Sequence, residues 1–237
     1  MHKWKSILVI NMRKYRHELK FIINKEMSKI LKQRLSLVMD IDKNSVNLDN
    51  TYFIRSLYFD DPNSSAYYEK LDGVLYRKKY RIRIYNSDPS FIRLERKWKH
   101  NNMTSKDQIK LSKEECIDIL NNNLDKINLT SDLIKDFIFE IKTKGLKPSV
   151  IVDYKRLAYT YPISDVRITF DENLKSGLYN YELFNDEKIS YDIFDSNEVV
   201  LEVKFNEVIP EHIAIILGTI PMYRQAVSKF ARCRSIK

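Results

Sequence analysis

Arg77-Lys78-Lys79-Tyr80-Arg81-Ile82-Arg83-Ile84 is the stretch that decides the fold. Alternate residues of a β-strand face opposite sides. Read as a strand, one side carries Arg77, Lys79, Arg81 and Arg83, and the other carries Lys78, Tyr80, Ile82 and Ile84. Four cations in one column repel each other. In a single strand, a sheet with one wet face accounts for such a pattern.

The pattern recurs elsewhere in the chain. Arg93, Glu95, Lys97 and Lys99 share one face of the next strand, with Leu94, Arg96 and Trp98 on the other. Arg16, Glu18 and Lys20 oppose Leu19 and Phe21. Arg167, Thr169 and Asp171 oppose Ile168 and Phe170, and Glu202 and Lys204 oppose Val199, Leu201, Val203 and Phe205. Five strands with one charged and one apolar face predict a closed antiparallel β-barrel. Its apolar faces pack outward under helices and its charged faces line the lumen.

Further strand-like runs at Thr51 to Phe59 and Ser149 to Tyr161 carry β-branched and aromatic residues near period two. Asn86-Ser87-Asp88-Pro89 is a hairpin signal, so neighbours run antiparallel. Helical spacing marks Lys25 to Met39. Short helices are expected at Ser64 to Leu71, after Ser112 with Glu115 as a capping box, from Ser131 to Lys144, and from Pro210 to Leu217. The stretches Asn44 to Asn50 and Asn121 to Asn128 read as loops. There is no strict strand–helix alternation, so the class is α+β and not a parallel α/β sheet. The fold expected is a closed barrel with helices outside, in one domain over residues 15–237, preceded by an N-terminal arm over residues 1–14.

A formal charge of +9 in 237 residues points to an anionic partner, although a solvated basic surface has the same total. Placement separates the two. Unpaired buried cations are costly, and the carboxylates on the charged faces look too few to neutralise them. A base-reading module wants aromatics among its basic residues, whereas here the aromatics fall mostly on the opposite face. Nucleic acid is therefore not the expected partner, and phosphate is. Arginine's fork binds phosphate oxygens through parallel donors. Glu18, Glu95 and Glu202 are candidate ligands for a hard cation, Mn²⁺ or Mg²⁺, bridging carboxylate and phosphate. They serve equally as salt-bridge partners that space the arginines. No glycine-rich phosphate loop, nucleophile elbow or histidine cluster competes. His17 and His212 read as structural, and Cys116 and Cys233 are in no metal or redox spacing. The apolar run Ile7 to Ile10 is too short for a signal h-region or a membrane span, so a cytoplasmic protein is expected.

An ordered set of short motifs also resembles a known family. The set runs Arg16-His17-Glu18-Leu19-Lys20-Phe21, Ser56-Leu57-Tyr58-Phe59-Asp60, Lys79-Tyr80-Arg81-Ile82-Arg83 and Leu94-Glu95-Arg96-Lys97. It continues with Asp153-Tyr154-Lys155-Arg156, Arg167-Ile168-Thr169-Phe170-Asp171, Leu201-Glu202-Val203-Lys204 and Ser228-Lys229-Phe230. Together these resemble the VTC domain, the polyphosphate polymerase branch of the triphosphate tunnel metalloenzyme (CYTH-like) superfamily. The resemblance covers about Tyr15 to Phe230. It implies a metal-dependent enzyme that passes the γ-phosphoryl group of ATP to a polyphosphate chain and releases ADP.

On that resemblance Arg81, Arg83, Lys97, Arg156 and Arg167 are the catalytic cations that grip the phosphates. Lys20 is the first-strand lysine near the phosphate, Glu202 the metal ligand, Lys229 with Ser228 the C-terminal contact, and Tyr154 the neighbour of the nucleotide. Arg77, Lys79 and Lys204 join the phosphate-binding set from their faces alone. One departure stands out. Tunnel triphosphatases commonly alternate two glutamates and a lysine on the first strand, and Arg16 occupies the first of those positions here. That favours the polymerase branch. The alternatives are a tunnel triphosphatase and a non-catalytic polyphosphate-binding module.

Overall fold

The computed structural model describes residues 15–45, 47–101, 103–185, 190–193, 195 and 197–235. The expected N-terminal arm lies outside the described residues. The two-residue hairpin Asn86-Ser87 joins β4 (Tyr76–Tyr85) to β5 (Asp88–His100). Both turn residues have positive φ, 50° and 55°. That is the turn whose twist matches paired strands, and asparagine tolerates it well. The hairpin sets Arg81 opposite Glu95 and Lys79 opposite Lys97.

From this hairpin the sheet grows both ways. β3 (Thr51–Asp60) pairs with β4, and β7 (Lys147–Tyr161) pairs with β3. On the other side β6 (Met103–Leu111) pairs with β5, and β1 (Arg16–Asn24) follows β6. β10 (Glu198–Phe205) pairs with β1, and β8 (Val166–Ser176) with β10. The β7–β8 pairing closes a ring of eight strands, all antiparallel. Two-residue strands β2 (Asp40–Ile41) and β9 (Tyr191–Asp192) flank it. The ring is weakest between β1 and β6, which share only Arg16↔Thr104 and His17↔Met103. Beyond that point Phe21 bridges Arg224, and the Gln225 amide donates to the Lys20 carbonyl at 2.9 Å.

The strand β6 does not stand out in the sequence. Its Met-Thr-Ser-Lys-Asp-Gln-Ile-Lys-Leu has polar residues on both faces, so the period-two signal is faint. Its place comes from pairing with β5 over nine residue pairs.

Among the described residues six α-helices accompany the ring. Outside β3, β4, β5 and β7 lie α3 (Lys113–Leu120) and α4 (Asp132–Lys144). The Ser112–Glu115 capping box opens α3 as the sequence predicts, and Gly145 at φ 66° closes α4. Phe137 of α4 is fully buried, edge-on to Phe59 at 5.0 Å and tilted against Tyr80 at 5.1 Å. Truncating such a side chain costs about 3–5 kcal/mol. Outside β1, β8 and β10 lie α1 (Lys25–Leu35), shorter than the expected run to Met39, and α5 (Glu211–Gly218). α2 (Ser65–Leu71) precedes β4.

The sixth helix, α6 (Lys229–Arg234), is inside. Its Phe230 and Cys233 pack with Val227 against Ile54, Val150, Val152 and Val200 of the inner wall. The lumen is therefore not charged throughout: one part is an apolar plug. Val150-Ile151-Val152 carries the trace of this in sequence, since a continuous apolar run in a strand means burial on both faces. Cys116 and Cys233 are both buried, and among the described residues neither forms a disulfide. Among the described residues no helix is long and apolar enough to cross a membrane.

Candidate functional site

The face assignments read from sequence place one set of side chains on the inner wall of the ring. There they line a single cavity of about 1280 Å³. Seventeen lysines and arginines line it against four carboxylates. Every site residue predicted from sequence lines this cavity except Glu95. The charges are not spread evenly. Many of them gather on four buried carboxylates, two that line the cavity (Glu18 and Glu202) and two behind it (Glu95 and Asp171), each holding two or more cations.

Glu95 is the first of these, fully buried. Arg81 Nε donates to its Oε2 at 2.7 Å and Lys106 Nζ to its Oε1 at 2.8 Å, with Arg83 Nη1 at 3.8 Å. Burial alone would raise the Glu95 pKa, yet Arg81, Arg83 and Lys106 hold it well below the usual carboxylate range. Glu18 receives Lys97 Nζ at 2.7 and 2.9 Å, with Lys20 Nζ at 3.7 Å. Against its burial, Lys97, Lys20 and Lys204 likewise hold it low. Glu202 takes Lys204 Nζ at 2.9 Å, Lys20 Nζ at 3.5 Å and Arg156 Nη2 at 3.7 Å. Asp171 takes Arg156 Nη2 at 2.7 Å and Lys229 Nζ at 2.5 Å, and these two partners outweigh burial and lower its pKa.

Two further contacts organise the arginines. Arg83 donates to Ser56 Oγ at 2.9 Å and Tyr154 Oη at 3.1 Å. Tyr154 also lies under Arg156 and Lys229, at 5.2 and 4.9 Å from its ring centre. Arg167 is held by Asp42 at 2.6 Å and Tyr52 Oη at 2.9 Å. Ser228 lines the cavity, but its hydroxyl accepts from Ala231 N at 3.3 Å and so caps α6. Lys20 is pushed down to about 7, chiefly by burial, with Lys97 and Lys229 adding to the effect. Lys79, buried beside Arg77 and Lys70, is pushed down to about 6.

The three glutamates do not form one donor set. Glu18 and Glu202 approach a common cation, Lys20, from adjacent strands, in the register Glu18↔Lys204 and Lys20↔Glu202. Glu95 sits apart beneath Arg81 and Lys106. Among the described residues no three histidine, cysteine or acidic side chains converge as metal donors. Magnesium-type ions are usually held by one or two carboxylates plus substrate phosphates rather than an all-protein cage. Glu18 with Glu202 fits that pattern.

Sequence reasoning missed Asp171 as the partner of Arg156 and Lys229, Asp42 on Arg167, and Lys106 on Glu95. Asp171 was legible, since it shares the inner face with Arg167 and Thr169. Lys106 went with the unseen β6, and Asp42 reaches the site from a loop, where parity says nothing. Tyr58, on the inner face of β3, accepts from Arg81 Nη1 at 2.7 Å. His17 stacks on Phe205 at 5.0 Å and His212 lies edge-on to Tyr161 at 5.2 Å, so neither imidazole reaches the cavity.

The chain superposes on HpAC1 from Hippeastrum, a proposed adenylyl cyclase with a dominant triphosphatase activity. The TM-score is 0.54 at 17% identity, covering 94% of this chain and 96% of that one. The PH1819 protein of Pyrococcus horikoshii OT3 aligns with TM-score 0.48 at 11% identity, over 91% of this chain and 96% of that one. At such identities the Hippeastrum likeness establishes the tunnel fold and nothing finer. No curated protein matches the chain. The VTC domain model, in contrast, matches residues 15–236. With nearly the whole described ring inside that match, the chain belongs to the VTC domain family.

Proposed function

We propose that this protein is a polyphosphate polymerase, transferring the γ-phosphoryl group of ATP to the end of a polyphosphate chain held in the cavity. The observation that carries the reading is the excess of seventeen lysines and arginines lining one cavity over the four carboxylates that line it and the two, Glu95 and Asp171, buried behind them. Phosphoryl transfer asks for positioning and charge neutralisation more than for covalent chemistry from the protein. An acceptor phosphate is already ionised, so no general base is required, and among the described residues no histidine lines the cavity.

In this reading Arg81, Arg83, Lys97, Arg156 and Arg167 hold the phosphoryl oxygens and stabilise the charge that develops on them. Their carboxylate partners fix the guanidinium planes in advance. Lys20, Lys204, Lys229, Arg77 and Lys79 extend the grip along the chain. Tyr154, braced by Arg83, sits at the nucleotide side. Glu18 and Glu202 would hold Mn²⁺ or Mg²⁺, which when bound neutralises phosphate charge. Arg16 faces the cavity and supports an acceptor phosphate where a first-strand glutamate would repel it.

The test is incubation with ATP and manganese, with products resolved by gel and phosphorus NMR. ADP and long-chain polyphosphate are expected, with a lag shortened by a short polyphosphate primer. The triphosphatase activity of the Hippeastrum relative favours a second reading, hydrolysis of a triphosphate. Orthophosphate as the main product would establish it instead. Tight polyphosphate binding without turnover over a range of metals would leave a binding module.

A further inference from the structure

Where β1, β10, β8 and β7 lie side by side, their registers lay rows of side chains across the inner wall. One row runs Glu18, Lys204, Arg167, and another ends in Asp171 and Arg156. The row between them runs Lys20, Glu202, Thr169, Ala158. Glu202 is thus flanked by unlike neighbours, a lysine on β1 and a threonine on β8. Lys20 Nζ stands 3.5 Å from Glu202 Oε1. The Thr169 hydroxyl is fully buried and, among the described residues, has no hydrogen-bond partner.

That sets Thr169 apart from other hydroxyls of the wall. Ser56, Tyr58, Tyr52 and Tyr154 each accept a hydrogen bond from an arginine. A buried hydroxyl without a partner forfeits its hydration for no return, and such an orphan in a native fold asks for a functional reason. Shape does not supply one, since valine fills the same space and suits a strand as well.

The reason lies in what surrounds Glu202. In the ligand-free protein three cations hold it, Lys204 at 2.9 Å, Lys20 at 3.5 Å and Arg156 at 3.7 Å. A cation that close to a ligating carboxylate repels a divalent ion. Yet a carboxylate that ligates a metal is itself held in place by hydrogen bonds. Thr169 is a neutral donor directly across from it. Residues directly opposite on antiparallel strands have Cβ atoms about 5 Å apart, so a change of rotamer is enough to join the two side chains. Ala158, next in the row, has no side-chain polar atom to compete for the hydroxyl. Glu202 lines the cavity and Thr169 does not, so the threonine is a support within the wall and not a ligand.

We propose that Thr169 is a positioning residue of the metal site, its hydroxyl donating to the Glu202 carboxylate once the lysines have given way to Mn²⁺ or Mg²⁺. The inference rests on Glu202 as a metal ligand and is independent of which phosphoryl transfer the cavity carries out.

The experiment measures Mn²⁺ binding to the full chain without nucleotide, from the paramagnetic resonance signal of free Mn²⁺. It compares the wild type with Thr169→Val, Thr169→Ser and Glu202→Gln, and records the melting temperature of each without metal. Thr169→Val should weaken Mn²⁺ binding about tenfold, and Thr169→Ser, which keeps the hydroxyl, by less than about threefold. Without metal Thr169→Val should melt level with the wild type or above it, because it removes an unpaired hydroxyl and keeps the shape. Unchanged Mn²⁺ affinity in Thr169→Val overturns the role. Equal losses in Thr169→Val and Thr169→Ser do so as well, since the hydroxyl would not be what matters. A lower metal-free melting temperature for Thr169→Val also overturns it, by showing the hydroxyl satisfied before metal arrives. If Glu202→Gln binds Mn²⁺ as the wild type does, the metal reading of Glu202 falls and takes the inference with it. If Glu202→Gln loses affinity and Thr169→Val does not, the inference falls alone.

Discussion

Replacing Lys79 with methionine should make the protein more stable near neutral pH, and should do so less and less as pH rises. Lys79 points into the lumen opposite Lys97, with its ammonium 4.3 Å above the Phe230 ring and, among the described residues, no carboxylate partner. Burial first, then Arg77, Lys70, Lys20 and Lys97, lower its pKa from 10.5 to about 6. Between those two values the unfolded chain holds the proton and the folded chain does not. Stability therefore rises with pH across that window, and the penalty is greatest below pH 6. From pH 7 to pH 9 one such group accounts for about 3 kcal/mol of added wild-type stability. Methionine keeps the length, packs on Phe230 and has no proton to lose. Urea unfolding of both proteins at pH 7, 8 and 9 tests this, since other titrating groups cancel in the difference. The advantage of Lys79→Met should shrink by about 3 kcal/mol between the ends of that range. A constant difference, or a variant less stable at every pH, would mean that Lys79 is charged and satisfied in the fold, and the reasoning would fail.

Arg81→Met should behave in the opposite way, losing about 3 kcal/mol in the same assay, because it strips the closest partner from the fully buried Glu95. Glu202→Gln should reduce turnover of ATP sharply at limiting manganese, with partial recovery at high metal; full activity in the variant, or activity indifferent to EDTA, would remove Glu202 from the metal site. Ser112→Ala should cost about 1 kcal/mol in thermal or urea melts, the usual worth of an N-cap, without changing turnover.

The sequence yielded the inner wall residue by residue because strand parity is a strong rule. Arg77, Lys79, Arg81 and Arg83 could not face inward without Tyr80, Ile82 and Ile84 facing outward, and the core under α3 and α4 contains those three. Parity has no term for partners. It says that Arg81 and Glu95 lie on inward faces, but the register that sets them opposite each other comes from the Asn86-Ser87 turn. It also treats Lys79 and Arg81 as equals. They share a column, yet Arg81 is pinned to a carboxylate at 2.7 Å and Lys79 has none among the described residues. The interior carboxylates looked too few because one carboxylate holding three cations neutralises more local charge than a tally of pairs suggests. What lies off the strands was least legible. Asp42 arrives on a loop, and α6 enters the ring from the end of the chain, where six residues are too few to show a helical period.

The division between paired and unpaired cations bears on how such a cavity would work. A guanidinium already held by a carboxylate has its plane and position fixed before any ligand arrives, and it loses little entropy on meeting a phosphate. That suits Arg81, Arg83 and Arg156, where geometry at a reacting phosphorus matters. A cation with no partner gains the most from an anion and holds it with the least angular demand. Lys20 stands between the two groups. It touches Glu18 at 3.7 Å and Glu202 at 3.5 Å, donates to the Val227 carbonyl at 3.2 Å, and burial pushes it down to about 7. A hard cation binding to Glu18 and Glu202 would draw both carboxylates off Lys20, which would then either turn to a phosphate oxygen or give up its proton. Metal and substrate entering together would keep Lys20 charged, and metal alone would discharge it. Proton release on adding manganese to the ligand-free protein near pH 7, abolished by saturating tripolyphosphate, would be the signature of that exchange. Equal release with and without tripolyphosphate would place the metal away from Lys20.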